Sequence, residues 1–373
     1  MMAEQMTARE RFRAAAHFEP TDRPFFWPQW IFQSTVERWQ TEGMPGDASF
    51  NRYFGFDRIE TVPVKYGLLP PFKETVVDED RETKTVVDDS GAKKRIWKEL
   101  DIGMPHWIEY GLKDRSDWEK FKARLDPDSP ARYPDYWDDF VRCTRGRDYP
   151  LAVNGGSFYG WLRNWIGMEN LALMYYDDPG LVHEMTDYIG DFLVRLTERA
   201  LDSVEFDMAL FWEDMAMKTA SLISPEFFRK FMLPNYQRVT KLFRQAGIDV
   251  LMVDCDGNTD ELVPLWLEGG ITGIFPIEVA AGCDPVKYRE TYGRRLVLMG
   301  GIDKRALRLG KKEVEREVMS KAPKLLSAGG WLPLVDHAVP PDVPLENFQY
   351  YLDLVRRCVR GPVRTRRTKK DKR

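Results

Sequence analysis

Carboxylates recur where short apolar runs end. Glu213 and Asp214 follow MALFW, Asp254 and Asp256 close IDVLMVDCD, Glu278 follows GIFPI, Asp303 follows LVLMGGI, and Asp336 with His337 follows WLPLV. Such side chains ligate cations, move protons or stabilise charge in a reacting molecule. They also cap helices and form turns, and on that ground roughly half of such a set is structural. Asp260, just ahead of a helical pattern, is better placed as a cap than Asp254 or Asp256. Those two are separated by one residue, so a strand sends both to one face and Cys255 to the other. Two adjacent carboxylates repel, and one takes up a proton unless a cation joins them.

His337 is one of four histidines and sits in VDHAVPPD, where prolines stiffen the loop behind it. A lone histidine is often hydrogen-bonded structure, but one at a strand end facing several carboxylates is a candidate ligand or acid/base group. His17, His106 and His183 lie on helical or loop patterns without such company and read as structural. Aromatic residues gather at the other strand ends. From them Trp27, Tyr66, Tyr159 and Trp212 are candidate substrate contacts, together with Gln29, Asn258, Glu278 and Asp303. Glu213, Asp214, Asp254 and His337 are the candidate catalytic groups. Gly300-Gly301 reads as a close backbone approach or a tight turn.

The elements that must position these residues alternate. Strand patterns at 208–213, 248–254, 273–277, 296–300 and 331–336 are separated by helical patterns near 225–246, 259–268, 284–292, 312–327 and 344–359. Upstream, 23–30, 58–66 and 150–156 supply three more strands, with helices near 7–16, 34–42, 169–176 and 180–203. Eight strands alternating with helices predict an α/β fold, a (β/α)8 TIM barrel, with functional residues at the C-terminal strand ends. Residues 73–100 break the rhythm by alternating apolar and polar positions between Asp and Gly turns, which predicts a small antiparallel insertion. No GxGxxG or GxxxxGK[ST] loop follows a strand, so the usual nucleotide cradles of an open sheet are missing.

A chain of 373 residues, 43% hydrophobic and 31% charged, holds such a barrel as one domain over residues 1–360. Its net charge of −4 gives no pull toward nucleic acid. No run approaches the roughly 18 to 20 apolar residues of a membrane span, and the first residues are charged where a signal peptide is apolar. A cytoplasmic protein is expected, without membrane or nucleic-acid partners. The four scattered cysteines suggest free thiols. The basic stretch at 361–373 is expected to be a disordered tail.

Several segments together resemble the uroporphyrinogen decarboxylase superfamily: TARERFRAAAHFEPTDRP, YDDPGLVHEMTDY, EDMAMKTASLISPEFFRKFMLPNY, DCDGNTDELVPLWLEGGITGIFPIEV, YGRRLVLMGGIDKRAL and GGWLPLVDHAVPPDVPLENFQYYL. The resemblance implies a barrel and one of two chemistries, decarboxylation or methyl transfer with a corrinoid protein. The decarboxylase uses an arginine-rich loop after its first strand to hold a polycarboxylate, whereas this chain has PFFWPQWIF, with no arginine between Arg23 and Arg38. The methyltransferases carry a zinc site, His-x-Cys-Gly plus a distant Cys. The matching positions here are Asp254, Asp256 and His337, harder ligands than thiolates but still able to hold zinc, the first choice, or iron or manganese.

The resemblance therefore points first to a metal-assisted methyltransferase or demethylase acting on a small methylated molecule. The corrinoid would arrive on a separate partner protein, and an acidic, aromatic mouth suits a cationic amine. A decarboxylase of a small carboxylate is the alternative, followed by a non-catalytic binding protein. A homodimer is left open.

Overall fold

The structure, a computed structural model, describes residues 5–98 and 104–359. The basic tail expected at 361–373 lies outside the described residues. The strands are β1 (Glu60–Thr61), β2 (Thr75–Glu79), β3 (Thr83–Val87), β4 (Lys93–Trp97), β5 (His106–Glu109), β6 (Leu151–Gly156), β7 (Met208–Trp212), β8 (Leu251–Asp254), β9 (Gly273–Phe275), β10 (Val297–Met299) and β11 (Trp331–Leu332). A seven-stranded sheet has the order β1-β6-β7-β8-β9-β10-β11, parallel throughout. Parallel neighbours need crossovers, and most are helices, among them Pro179–Ser203, Leu233–Gln245 and Lys311–Ala328.

Strand alternation sorts the apolar side chains into two cores. Ala209, Phe211, Leu251, Val253 and Leu298 face the large core beneath the helices. Met208, Val250, Met252, Val297, Met299 and Leu332 face a smaller cluster, which Phe12 and Phe25 complete. That one face of β7, β8, β10 and β11 converges on a single cluster shows that the sheet wraps around it. Phe12 comes from the helix Ala8–Ala16, whose start is fixed by a capping box of Thr7 and Glu10. By the same period of two, Asp254 shares the inner face of Val250 and Met252.

Residues 23–30 form no strand, in contrast to the expectation. Pro24 and Pro28 lack the N–H groups a ladder requires. The segment is tied in by other means. Asp57 N donates to Phe26 O at 2.8 Å, and Asp57 Oδ2 accepts from Phe26 N at 2.9 Å. On the far side Gln29 accepts from Val335 N and donates to His337 O, each at 3.1 Å, before an isolated parallel bridge joins Ile31 to Val339. Asp57 is buried between Arg11 and Arg23, with contacts of 2.6 and 2.7 Å.

The insertion is a separate antiparallel sheet, β2-β3-β4-β5, whose last strand, His106–Glu109, lies outside the expected bounds of 73–100 and takes in His106 as a strand residue. The helical pattern near 225–246 is interrupted by a π-turn at Phe228–Met232, just ahead of Pro234, whose ring cannot supply an N–H to a regular helix. All four cysteines are free.

Candidate active site

β7 and β8 end side by side, Trp212 pairing with Asp254. Just beyond, Asp214 has a left-handed backbone with φ 42°, a conformation Asp tolerates better than most residues. This turn lets its Oδ1 accept from Asp256 N at 3.1 Å. Asp214, Asp254 and Asp256 thereby bring one carboxylate oxygen each within 4.8 Å of one another. His337, arriving from beyond β11, places Nε2 3.1 Å from Asp256 Oδ2.

The electrostatics follow from burial and like charge. Burial, reinforced by Asp214 and Asp256, pushes the Asp254 carboxyl up to about 8. Asp214 is raised by burial and then by Asp256. The hydrogen bond that His337 donates to Asp256 raises the imidazole, against the opposing effect of burial. Arg163 supplies further positive charge. It donates to Asp214 O at 2.9 Å, lies 3.8 Å from Asp214 Oδ2 and covers the Trp212 ring at 5.4 Å.

A second layer holds this group in place. Gly257 has φ 88°, and a Cβ there would meet Ala216 O at 2.6 Å, so the loop after Asp256 packs directly on the loop after Asp214. Gly257 N donates to Glu278 Oε2 at 2.9 Å. Lys304 reaches Glu278 Oε1 at 3.7 Å and the fully buried Asp336 at 3.3 Å. Asp336 also accepts from Val279 N and Lys304 N, each at 3.0 Å, joining three strand ends. The Trp30 ring lies 5.7 Å from His337, whose carbonyl is held by Gln29.

Other candidates lie elsewhere or are already engaged. Glu213 is completely buried. It accepts from Phe158 N, Tyr159 N, Gly160 N and Ser157 Oγ at 2.7–3.0 Å, and from the Tyr236 hydroxyl. It thus anchors the start of the helix Gly160–Ile166, and burial raises its carboxyl. Tyr66 is buried against the helix Pro179–Ser203, its hydroxyl 3.2 Å from Thr197 Oγ1. Asp303 caps the helix Lys304–Leu307 and chelates the Arg305 side chain. Asn258 spans a turn, accepting from Asp260 N and donating to Ala281 O. Trp27 packs between Phe25, edge to face, and Phe275, tilted, with ring centroids 6.5 Å from each. Tyr159 is 1% exposed, and burial pushes its hydroxyl up to about 12. Arg163 and Lys304 were not among the candidate residues, and Asp336 was named only as one of the strand-end carboxylates. The available signal was a cation beside a strand-end carboxylate, Lys304 after Asp303 in GGIDKRAL; Arg163, in YGWLRN, has no carboxylate near it in the sequence.

The uroporphyrinogen decarboxylase (URO-D) family model matches residues 105–358, a span that includes every residue of the carboxylate cluster and His337. The chain belongs to the URO-D family. A methylated-thiol–coenzyme M methyltransferase of Methanosarcina mazei is 27% identical over 198 residues, covering 53% of this chain and 49% of that protein. A uroporphyrinogen decarboxylase of a Nitratiruptor species is 24% identical, also over 198 residues, covering 49% and 51%. The chain thus spans about half the length of the curated relatives it matches. A solved methyltransferase structure from M. mazei superposes with a TM-score of 0.61 at 17% identity, over 94% of this chain and 98% of that one, which shows a shared fold. No helix among the described residues is long and apolar enough to cross a membrane.

Proposed function

We propose that this URO-D family chain is a metal-assisted methyltransferase or demethylase that exchanges a methyl group between a small methylated molecule and a corrinoid protein. The reading takes residues 1–360 as one (β/α)8 barrel, its eighth position filled by the segment ending at Ile31. It also takes the protein as cytoplasmic. The observation that carries it is the convergence of Asp214, Asp254 and Asp256 within 4.8 Å beside His337. Three carboxylates this close, one of them pushed up to about 8, form a site short of positive charge. The three carboxylates fit a divalent cation, zinc first, held by Asp214, Asp254 and Asp256, with His337, paired to Asp256 at 3.1 Å, reaching the ion only by a small shift of its ring or supporting it through Asp256. When bound, the metal acts as a Lewis acid on the atom that carries the methyl group.

The chain's own residues perform the rest. Trp30 beside His337 gives a cationic amine an aromatic face close to the carboxylates, while Arg163 covers the Trp212 ring. Asp254 holds a proton at neutral pH and releases it when a cation arrives. Glu278, Lys304 and Asp336 keep the Asp256 loop and the His337 loop in register. The test is to measure metal content of the purified protein, then to follow methyl transfer from candidate methylamines and methylthiols to free cob(I)alamin by its visible spectrum. Stoichiometric metal with transfer supports the proposal; metal-free protein without transfer ends it.

The protonated Asp254 also favours a second reading, decarboxylation of a small carboxylate. As the C–C bond breaks and CO2 leaves, the resulting carbanion takes the Asp254 proton. Uroporphyrinogen itself suits the mouth poorly, because Trp27, Gln29 and Trp30 stand where the decarboxylase places arginines. CO2 release by metal-free protein distinguishes this reading from the first.

A further inference from the structure

At the opposite end of the sheet, the segments entering β8, β9 and β10 line an open cavity of about 540 Å3. It borders Asp249, five residues before Asp254, so roughly 16 Å of strand separates it from the carboxylate cluster. Its floor is apolar, with Val250 and Val297 at the strand starts. Its rim carries three guanidiniums, Arg244, Arg294 and Arg295.

These arginines differ from most in the molecule. Arg11 and Arg147 are buried against Asp57 and Asp207. Arg244 instead donates to the backbone oxygen of Gly270 at 2.6 Å, and Arg294 to that of His17 at 3.1 Å. Arg295 makes no hydrogen bond or ion pair among the described residues. The rim's carboxylate, Asp249, is already engaged by His17 Nε2 at 2.8 Å. Phe18 sits among them with φ 62°, and the guanidinium of Arg294 lies 5.0 Å from its ring. A protein of net charge −4 therefore keeps three guanidiniums without a carboxylate partner around one concavity.

Like charges gathered this way repel, and an anion entering between them removes the repulsion while meeting the planar fork of each guanidinium. An apolar floor beneath a cationic rim selects an anion that also carries an apolar group. The volume lies within the range of about 300–1,000 Å3 usual for small-molecule sites. We propose that this cavity binds a small organic anion, a phosphate or carboxylate joined to an apolar ring or chain, at a site separate from the carboxylate cluster.

Calorimetric titration of the full chain at low salt with phenyl phosphate, benzoate and inorganic phosphate tests this. Phenyl phosphate or benzoate is expected to saturate one site with Kd below about 1 mM, and phenyl phosphate to bind more tightly than inorganic phosphate; the tighter of the two aromatic anions names the head group. Arg244→Gln combined with Arg295→Gln should weaken binding about tenfold or more, whereas Asp256→Asn should leave it unchanged. Arg295→Gln alone removes an exposed side chain with no partner, so it should weaken binding without shifting Tm. Absence of saturable binding, unchanged affinity in the double variant, or an equal loss in Asp256→Asn overturns the proposal.

Discussion

His337 Nε2 and Asp256 Oδ2 lie 3.1 Å apart, joining the loop beyond β11 to the loop beyond β8 across the mouth of the sheet. With side chains 27% and 39% exposed, this pair contributes about 1 kcal/mol or less to folding. In the proposed metal site its value is larger, because His337 orients and supplements Asp256 as a ligand. His337→Ala is therefore expected to weaken zinc binding about 10- to 100-fold, with little change in Tm. Calorimetric zinc titration beside a thermal melt checks this, and a destabilised variant with unaltered zinc affinity would count against the shared site.

Asp254 sets a pH dependence whose sign is fixed by the direction of its shift. Its folded carboxyl is pushed up to about 8, well above the ordinary value of 3.8. Between those limits the folded chain keeps a proton that the unfolded chain releases, so stability is greatest at the acid end and falls as pH rises, the loss being complete above about 8. The slope is at most about 1.4 kcal/mol per pH unit. In metal-free protein Asp254→Asn should flatten the fall of Tm between pH 5 and 8. Zinc binding at pH 6.5 should release the Asp254 proton together with part of one from His337, whose imidazole is raised above its ordinary value of 6.5. Calorimetry in buffers of different ionisation enthalpy measures the count, and Asp254→Asn should lower it by about one. Zinc uptake with no proton released would rule out Asp254 as an ionised ligand.

Glu213 is expected to act on stability. Truncation to Ala leaves the N–H groups of Phe158, Tyr159 and Gly160 and two hydroxyls without their acceptor in a fully buried place. Such a loss costs about 3–5 kcal/mol. Glu213→Gln keeps the volume but turns an NH2 toward donors, and should cost somewhat less. Urea unfolding gives both values. Near-normal stability together with abolished turnover would instead identify Glu213 as a proton-transfer group.

What was legible in the sequence follows the reach of each interaction. The expectation of a shared face for Asp254 and Asp256 used only strand period, although β8 ends at Asp254 and Asp256 lies in the loop beyond it, and the insertion needed only alternation broken by turn residues such as Asp80 and Gly91. Both are local. The segment 23–30 misled because apolar content suggested a strand, while Pro24 and Pro28 had already removed the donors for one. Glu213 looked like an acid/base group because nothing local shows three N–H groups from residues 158–160 turning onto it. Tyr66 looked like a wall of the mouth because the helix bearing Thr197, which covers it, is 131 residues away. Arg163 and Lys304 were missed because a long cationic side chain is assigned only once its carboxylate partners have been placed.

Gln29 supplies the last expectation, since it substitutes for a strand ladder that prolines prevent. Its side-chain amide has a donor and an acceptor spaced like those of a peptide group. With them it accepts from Val335 N and donates to His337 O at 3.1 Å each. Gln29→Leu keeps apolar bulk and removes both bonds, leaving an N–H and a carbonyl without partners on a largely buried loop. A cost of about 1–3 kcal/mol is expected. Gln29→Glu keeps the acceptor for Val335 N but sets a carboxylate oxygen against the His337 carbonyl, which pushes that loop away. If Gln29 holds the imidazole in place, both variants lower zinc affinity, and the Glu variant lowers it more for a given loss of Tm. Equal zinc affinity across wild type, Leu and Glu would mean that the loop holds His337 without Gln29.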